Sequence, residues 1–163
     1  MQKLFLSILI ASIIISCSSE SEPESNEFCF GEIDLKSQQF PQRWMLTKMT
    51  GNIPNSEMTG ANMNWQETIL LNSDSTFLKT REQNNATTQA FGTYSFSAID
   101  NEAYSIQLNL YYDAANGLVG NCFSEPLRET YLLAAKCKLI GTWSWCDGPG
   151  LEYEKQMVVY GCG

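Results

Sequence analysis

The sequence contains no histidine, and this removes the general base on which most serine and cysteine nucleophiles depend. No two cysteines are separated by two residues, so the common zinc-binding spacings are also absent. A glycine-rich phosphate loop is missing too, because Gly148-Pro149-Gly150 is better explained as a turn. We therefore expect a protein that is not an enzyme and needs no cofactor or metal.

Basic side chains are also scarce. The chain has 10 lysines and arginines against 18 acidic residues, a net charge of −8. Residues 28–163 alone carry 14 acidic and 9 basic side chains, and the basic ones form no cluster. Binding to nucleic acid, or electrostatic docking on anionic lipid, requires a basic patch, so neither is expected.

Only one hydrophobic run approaches the length of a membrane span, and it lies at the N terminus. Leu4 to Ile15 follows Lys3 and is apolar except for two serines. At about a dozen residues it is shorter than the ~20 that a spanning helix needs, so it is typical of an export signal. It ends in Ile15-Ser16-Cys17, which resembles the lipobox of bacterial lipoproteins. The resemblance implies cleavage before Cys17 and lipid on that cysteine, which would anchor the chain. An ordinary signal peptide with a chance cysteine is the alternative.

A polar segment follows Cys17. Residues 18–27 include four glutamates and nothing that could pack in a core, so they predict a flexible tether. Short acidic stretches at this place in Gram-negative lipoproteins can direct export to the outer face, although a plain solvated linker explains the composition equally well. Ser18 is not the aspartate that is associated with inner-membrane retention. We expect an outer-membrane lipoprotein on the periplasmic face or the cell surface, with a signal peptide at 1–16, a lipidated tether at 17–27 and one domain at 28–163.

The domain shows the alternation of apolar and polar residues that is typical of β-strands. In 104–112 every second residue is apolar. Eight such segments predict an all-β fold, at about 43–49, 65–71, 76–82, 90–97, 103–112, 127–134, 138–145 and 151–160.

The connections between these segments differ in length. In an up-and-down meander, alternate connections lie at the same end of the sheet. The connections at 50–64, 83–89, 113–126 and 147–150 therefore share one end, and tight turns such as 72–75 share the other. This arrangement predicts an eight-stranded antiparallel up-and-down β-barrel with a mouth at the loop end and a floor at the turn end.

The more apolar phase of each segment is taken to face the barrel interior. Toward the mouth this phase carries charged residues, with Lys79 and Lys155 midway. Because a solid core requires every buried charge to be paired, such charges predict a wet, open cavity above a dry floor. The inward phase at the floor is apolar and consists of Trp44, Leu46, Ile69, Leu71, Phe77, Phe96, Tyr104, Ile106, Leu133, Leu139 and Val159.

The candidate ligand-binding residues are those of the mouth half. Glu67 and Glu129 have the chemistry of an acid/base pair, although pairing with nearby cations is the more ordinary explanation. The aromatic residues near the mouth can stack on a ligand, but aromatic side chains in these phases more often belong to a core. The predicted mouth consists of Lys48, Glu67, Arg81, Glu129, Lys155, Trp65, Tyr112 and Trp145.

Several short motifs resemble those of bacterial lipocalin-like lipoproteins. In that family a tryptophan two residues after a glycine opens the first strand and plugs the barrel floor. Trp44 matches the tryptophan, whereas Gln42 stands where the glycine would be. The segments 72–77 and 92–94 also resemble the family. The resemblance implies a lipocalin-like fold that binds small, partly apolar molecules. Gly141-Thr142-Trp143 has the glycine-tryptophan spacing, but too few residues follow it to form a barrel.

Five cysteines follow Cys17, so one of them is left over after two disulfides form. The predicted topology places Cys122 and Cys146 at the mouth, and Cys137 and Cys162 at the floor. It therefore predicts the bonds Cys122–Cys146 and Cys137–Cys162. Cys29 would be the odd thiol, unless it replaces one of the two floor cysteines.

Two classes of function remain open from the sequence. The barrel could bind a small hydrophobic or amphipathic ligand, or it could be a non-catalytic interaction or scaffold module for an envelope protein. A well-formed pocket of several hundred Å³ would favour the first class. A filled interior would favour the second.

Overall fold

Antiparallel strands make up most of the described chain. The computed structural model describes residues 40–101, 103–122, 127–134 and 138–156. The predicted signal peptide, the tether and Cys17 lie outside these residues, as do Cys29, Cys137, Cys162 and Val159, so the predictions made for them remain predictions. Nowhere in the described residues is there a helix with the length and apolarity needed to cross a bilayer.

The described residues form nine strands and two short 3-10 helices. The 3-10 helices are Gly60–Asn62 and Thr142–Cys146. The strands are β1 Gln42–Thr50, β2 Met58–Thr59, β3 Gln66–Leu71, β4 Thr76–Gln83, β5 Ala86–Ala98, β6 Tyr104–Tyr112, β7 Arg128–Ala134, β8 Lys138–Gly141 and β9 Gly150–Gln156.

The sheet closes on itself. Strands β3 to β9 each pair with the next one along the chain, β1 pairs with β3, and β9 returns to pair with β1. Trp44 lies opposite Ile69 on one side of β1, and Leu46 lies opposite Tyr153 on the other. The two-residue strand β2 pairs with the end of β1. The predicted closed, eight-stranded, up-and-down antiparallel barrel is confirmed, and this is the architecture that a lipocalin-like fold requires.

The turns at the two ends have local causes. At the floor, Oδ1 of Asp74 accepts hydrogen bonds from the amide and hydroxyl of Thr76, at 3.0 and 2.6 Å, which lowers the pKa of Asp74. At the mouth, the long connection predicted at 83–89 is instead a two-residue turn. Asn84 and Asn85 both have positive φ, at 53° and 61°, so β4 and β5 continue to the turn itself. Asparagine tolerates this conformation, and two such residues in succession give the tight hairpin that matches strand twist.

Most of the predicted floor residues lie in or against one apolar core, although Lys155 also faces the interior at this end. Trp44, Leu46, Ile69, Leu71 and Phe77 are all buried and belong to one core cluster. Leu133 and Leu139 are also buried, whereas Phe96, Tyr104 and Ile106 are half-buried.

The strand predicted at 138–145 ends early. It stops at Gly141, and a 3-10 helix carries the chain across the mouth end. Trp143 in this helix packs between Gly120 and Gly148, where a β-carbon at either glycine would collide with the indole ring. The two glycines therefore allow the backbone to approach the ring closely enough for the helix to pack on the mouth.

Candidate functional site

A network of charged residues is buried in the mouth half of the barrel. Its centre is Lys79 on β4, whose side chain is 0% exposed. The Nζ atom of Lys79 lies 2.8 and 3.0 Å from the two carboxylate oxygens of Glu129 and 3.0 Å from Oε1 of Glu67. It also donates to the hydroxyl of Tyr131 at 3.0 Å and to the carbonyl oxygen of Leu118 at 3.2 Å. One ammonium group therefore joins two carboxylates.

Glu67 on β3 has three partners. Besides Lys79, it accepts from Nε of Arg81 and from the hydroxyl of Tyr153, both at 2.5 Å. Burial by itself would raise the pKa of Glu67, but the charges of Lys79 and Arg81 and the Tyr153 hydrogen bond hold it below its ordinary value. The guanidinium of Arg81 in turn lies 4.3 Å from the centre of the Trp65 ring. Glu67 is thus an ionised, fully partnered carboxylate.

Glu129 on β7 is equally well satisfied. It accepts from the hydroxyl of Tyr112 at 2.5 Å and from the backbone N–H of Gly120 at 3.1 Å, in addition to Lys79. Burial raises the pKa of Tyr112, and the neighbouring Glu129 charge raises it further, so this phenol remains a proton donor. The pKa values of Tyr131 and Tyr153 are raised in the same way, by burial first and by the two carboxylates second.

We call this set of residues the buried ionic network. Two carboxylates and two cations balance its charge, and three phenols provide further donors. This pairing removes most of the energetic penalty that isolated buried charges would carry. The network comprises Glu67, Lys79, Arg81, Glu129, Tyr112, Tyr131 and Tyr153.

The loop 113–122 covers the network. Leu118 is buried, its carbonyl oxygen contacts Lys79, and the N–H of Gly120 is donated to Glu129. The predicted Cys122–Cys146 disulfide is present, with its Cα atoms 5.4 Å apart, and it ties the loop to the second 3-10 helix. The charges of the mouth half therefore contact one another and a covering loop, and do not face the wet, open cavity that the sequence suggested.

Lys48 lies on the opposite side of the wall from its predicted position. The pairing of β1 with β9 shifts by one residue between Leu46 and Lys48, which is a β-bulge. The extra residue reverses the alternation, so that Met49 is buried while Lys48 forms ion pairs with Glu152 and with Glu57. The hydrogen bond to Glu152 is the main cause of the raised pKa of Lys48. Strict alternation from Trp44 had predicted that Lys48 faces the interior, and this prediction is wrong because of the bulge.

Two other predicted mouth residues also lie away from the network. Lys155 keeps its inward phase, but it lies opposite Trp44 in the β1–β9 pairing, at the floor end of the barrel. Partial burial there lowers the pKa of Lys155. Trp145 is 66% exposed on the second 3-10 helix, at the rim of the mouth. The structure thus brings together Glu67, Arg81, Glu129, Tyr112 and Trp65, and leaves Lys48, Lys155 and Trp145 apart.

Sequence reasoning missed the central residue of the network. Lys79 had been placed on the inward phase but not among the mouth residues. Tyr131 and Tyr153 were not considered, although each shares the inward phase of its own strand. Tyr131 lies two residues after Glu129, and Tyr153 lies two residues after Leu151. This spacing was the signal that could have placed both tyrosines on the inner face.

A separate groove lies outside the network at the mouth end. It has a volume of about 590 Å³, is open to solvent, and runs between residues 61–66 and the β4–β5 turn at 82–87. Trp65 forms part of its wall. We call this feature the mouth groove. Here a predicted ligand-contact residue, Trp65, borders an open surface.

Within 40–101, 103–122, 127–134 and 138–156, no group of three metal-ligating side chains is clustered. Both inward carboxylates, Glu67 and Glu129, are ion-paired with Lys79.

Comparison with known proteins identifies no relative. The chain matches no family model, no curated protein and no solved structure. Functional inference therefore rests on the residues and their geometry.

Proposed function

We propose that this chain is an exported, lipid-anchored envelope protein whose barrel is a non-catalytic scaffold that binds another protein through its mouth end. The observation that carries the proposal is the pairing of the inward charges. A barrel that stores a ligand needs a cavity, whereas here the inward charges bind one another beneath the loop 113–122. The resemblance to lipocalin-like lipoproteins supports the anchor and the architecture, but the paired charges inside the barrel favour interaction over storage.

The rim of the mouth has the character of an interaction surface. Ile53 and Trp145 are 72% and 66% exposed, so the rim presents two large apolar side chains to solvent. Their two loops are linked, because Nδ2 of Asn52 donates to the carbonyl oxygen of Asp147 at 2.9 Å. Tryptophan is enriched at the energetic centres of protein interfaces. The acidic charge of the domain argues against anionic lipid or nucleic acid as the partner and favours a protein.

Site-specific photocrosslinking in the full-length chain, in its own envelope, tests this surface. A photoreactive residue at position 53 should give a discrete crosslinked species, and Trp145→Ala should reduce its yield about tenfold, since loss of an interface anchor costs ~1.4 kcal/mol or more. The matched control is position 91, because Phe91 is 62% exposed but lies on the barrel wall. Crosslinking that is equal at positions 53 and 91, or insensitive to Trp145→Ala, would exclude the mouth rim as the interface.

The anchor is tested by membrane fractionation. Cys17→Ala should move the protein from the membrane fraction to the soluble fraction, because the thiol that accepts the lipid is then absent. Cys29→Ala serves as the matched control and should leave the protein with the membrane. A Cys17→Ala protein that still sediments with outer membranes would show that something other than a lipid on Cys17 holds it there.

A second candidate function is small-ligand binding, and the mouth groove favours it. Its volume of about 590 Å³ lies within the ~300–1,000 Å³ that small-ligand sites occupy. Under this candidate the ligand lies on the mouth beside Trp65 and not inside the barrel. The lining of the groove indicates what kind of ligand it would accept.

A further inference from the structure

The lining of the mouth groove is dominated by side-chain amides. Five of its eleven residues carry one: Asn64, Gln66, Gln83, Asn84 and Asn85. Each amide offers two donors and one acceptor. A ligand covered with hydroxyl groups, each of which both donates and accepts, is the natural complement to such a surface.

One of these amides is oriented before any ligand arrives, and the backbone that carries two others is fixed. Asn84 and Asn85 form the tight β4–β5 turn, whose backbone is fixed by its left-handed conformation. Nε2 of Gln66 donates to the carbonyl oxygen of Gly60 at 2.8 Å, which orients the amide and leaves its oxygen as an acceptor. Groups that are already ordered lose less entropy on binding, so even a shallow site can bind usefully.

Trp65 adds an aromatic surface to the same groove. Its ring is held by the guanidinium of Arg81 at 4.3 Å, and Arg81 is itself fixed by Glu67. The face of an indole carries negative potential and attracts the slightly positive hydrogens of C–H bonds. A sugar ring presents C–H bonds on its face and hydroxyls at its edge. A tryptophan surrounded by amides fits both features.

Charge narrows the class of ligand further. Glu82 is the one charged residue among those that line the groove. Arg81, the cation beneath Trp65, is mostly buried and forms an ion pair with Glu67. An anionic sugar would find an acidic group and no free base, so an uncharged ligand is favoured. A purely hydrophobic ligand would find little apolar surface, because Met63 is buried and the other apolar groups apart from Trp65 are two alanines.

We propose that the mouth groove binds a neutral glycan, with Trp65 stacking on a sugar ring and the amides binding its hydroxyls. The groove is open and not enclosed, so a segment within a longer saccharide chain can lie across it. This proposal deepens the small-ligand candidate and is independent of protein binding at Ile53 and Trp145, which do not line the groove.

Titration calorimetry with uncharged hexasaccharides tests the proposal. The full-length protein is kept in a zwitterionic detergent without sugar head groups, and the probes are cellohexaose, xylohexaose and chitohexaose. At least one should bind at millimolar concentration, and an anionic hexagalacturonate should bind more weakly. The chitohexaose arm represents amino-sugar chains like those of cell walls, and the other two represent free glucans and xylans.

A pair of matched glutamine variants locates the binding. Gln83→Ala removes an exposed amide from the groove, and should weaken the best probe about three- to tenfold, the effect of one lost hydrogen bond. Gln89→Ala removes an exposed amide from the neighbouring strand outside the groove, and should leave the affinity unchanged. Trp65→Phe reports on the stacking surface and should also weaken binding.

The proposal would be overturned by any of three results. These are no binding by any neutral probe, preference for the anionic probe, or equal effects of Gln83→Ala and Gln89→Ala. The crosslinking result at position 53 would stand in any of these cases.

Discussion

Replacing Lys79 with methionine should lower the free energy of unfolding by about 3–5 kcal/mol, the cost of breaking a buried ion pair by removing one partner. The ammonium of Lys79 lies between Glu67 and Glu129, at 3.0 and 2.8 Å from their carboxylate oxygens. Without it, two negative charges share a site of low polarity. Glu67 keeps Arg81, whereas the donors that Glu129 keeps among the described residues, Tyr112 and Gly120, are neutral. Urea-induced unfolding, monitored by tryptophan fluorescence, measures the loss.

A double variant distinguishes loss of charge balance from loss of packing. Lys79→Met with Glu129→Gln removes one cation and one anion together, and leaves the Glu67–Arg81 pair in place. It should recover most of the lost stability, because a balanced replacement of a buried pair is often nearly neutral. Lys48→Met breaks the partly exposed pairs with Glu152 and Glu57 and should cost less than about 1 kcal/mol. If Lys79→Met proves no worse than Lys48→Met, the ionic network does not support the barrel.

The pH dependence provides an independent readout of the same variant. The folded pKa of Glu67 is lowered, so the stability it contributes is complete above its unfolded pKa and is lost as pH falls through the folded pKa. In Lys79→Met, Glu67 loses one of the two cations that lower its pKa, so its folded pKa rises. The difference in stability between the parent and Lys79→Met should therefore narrow as pH falls from the folded pKa of Glu67 in the variant to its lower folded pKa in the parent. A gap that stays constant with pH would indicate a packing defect.

The barrel itself could be predicted because it follows from local patterns. Alternation in segments such as Tyr104–Tyr112 identifies strands and their inner faces without any knowledge of their neighbours. The inward phase of Glu67, Arg81 and Glu129 follows from the same period of two. The mouth disulfide could be predicted as well, because the up-and-down strand order places Cys122 and Cys146 at the same end of the barrel.

The state of the inward charges could not be predicted in the same way. Alternation gives the side of the wall on which Glu129 lies, but not that Lys79, 50 residues earlier in the chain, reaches it. The donor from Gly120 belongs to a loop whose path depends on the folded mouth. The predicted inward orientation of Lys48 was wrong for a different reason, since one extra residue at a bulge reverses the orientation of every later residue in a strand. The bulge is defined by the pairing with β9, where Leu46 and Lys48 lie opposite the adjacent residues Tyr153 and Glu152.

Removing the mouth disulfide should be the second large effect. The bond joins residues 24 positions apart, and closing a loop of that size in the unfolded chain is worth about 3 kcal/mol. The double variant Cys122→Ser with Cys146→Ser avoids leaving a free thiol, and should lose about this much stability. Ser144→Ala is the control, since it changes an exposed residue of the same 3-10 helix without touching the bond.

The same double variant should also loosen the cover of the ionic network. The disulfide holds the loop 113–122 where the Leu118 carbonyl contacts Lys79 and the Gly120 N–H is donated to Glu129. Once the loop is no longer tied at Cys122, it can open locally without unfolding the barrel. Hydrogen exchange at the Gly120 amide should therefore quicken, while amides of the β4–β5 hairpin keep their protection relative to the variant's own global stability. If Gly120 exchanges no faster than those amides, the loop is held by its contacts with Lys79 and Glu129, and the disulfide stabilises the barrel only through the unfolded chain.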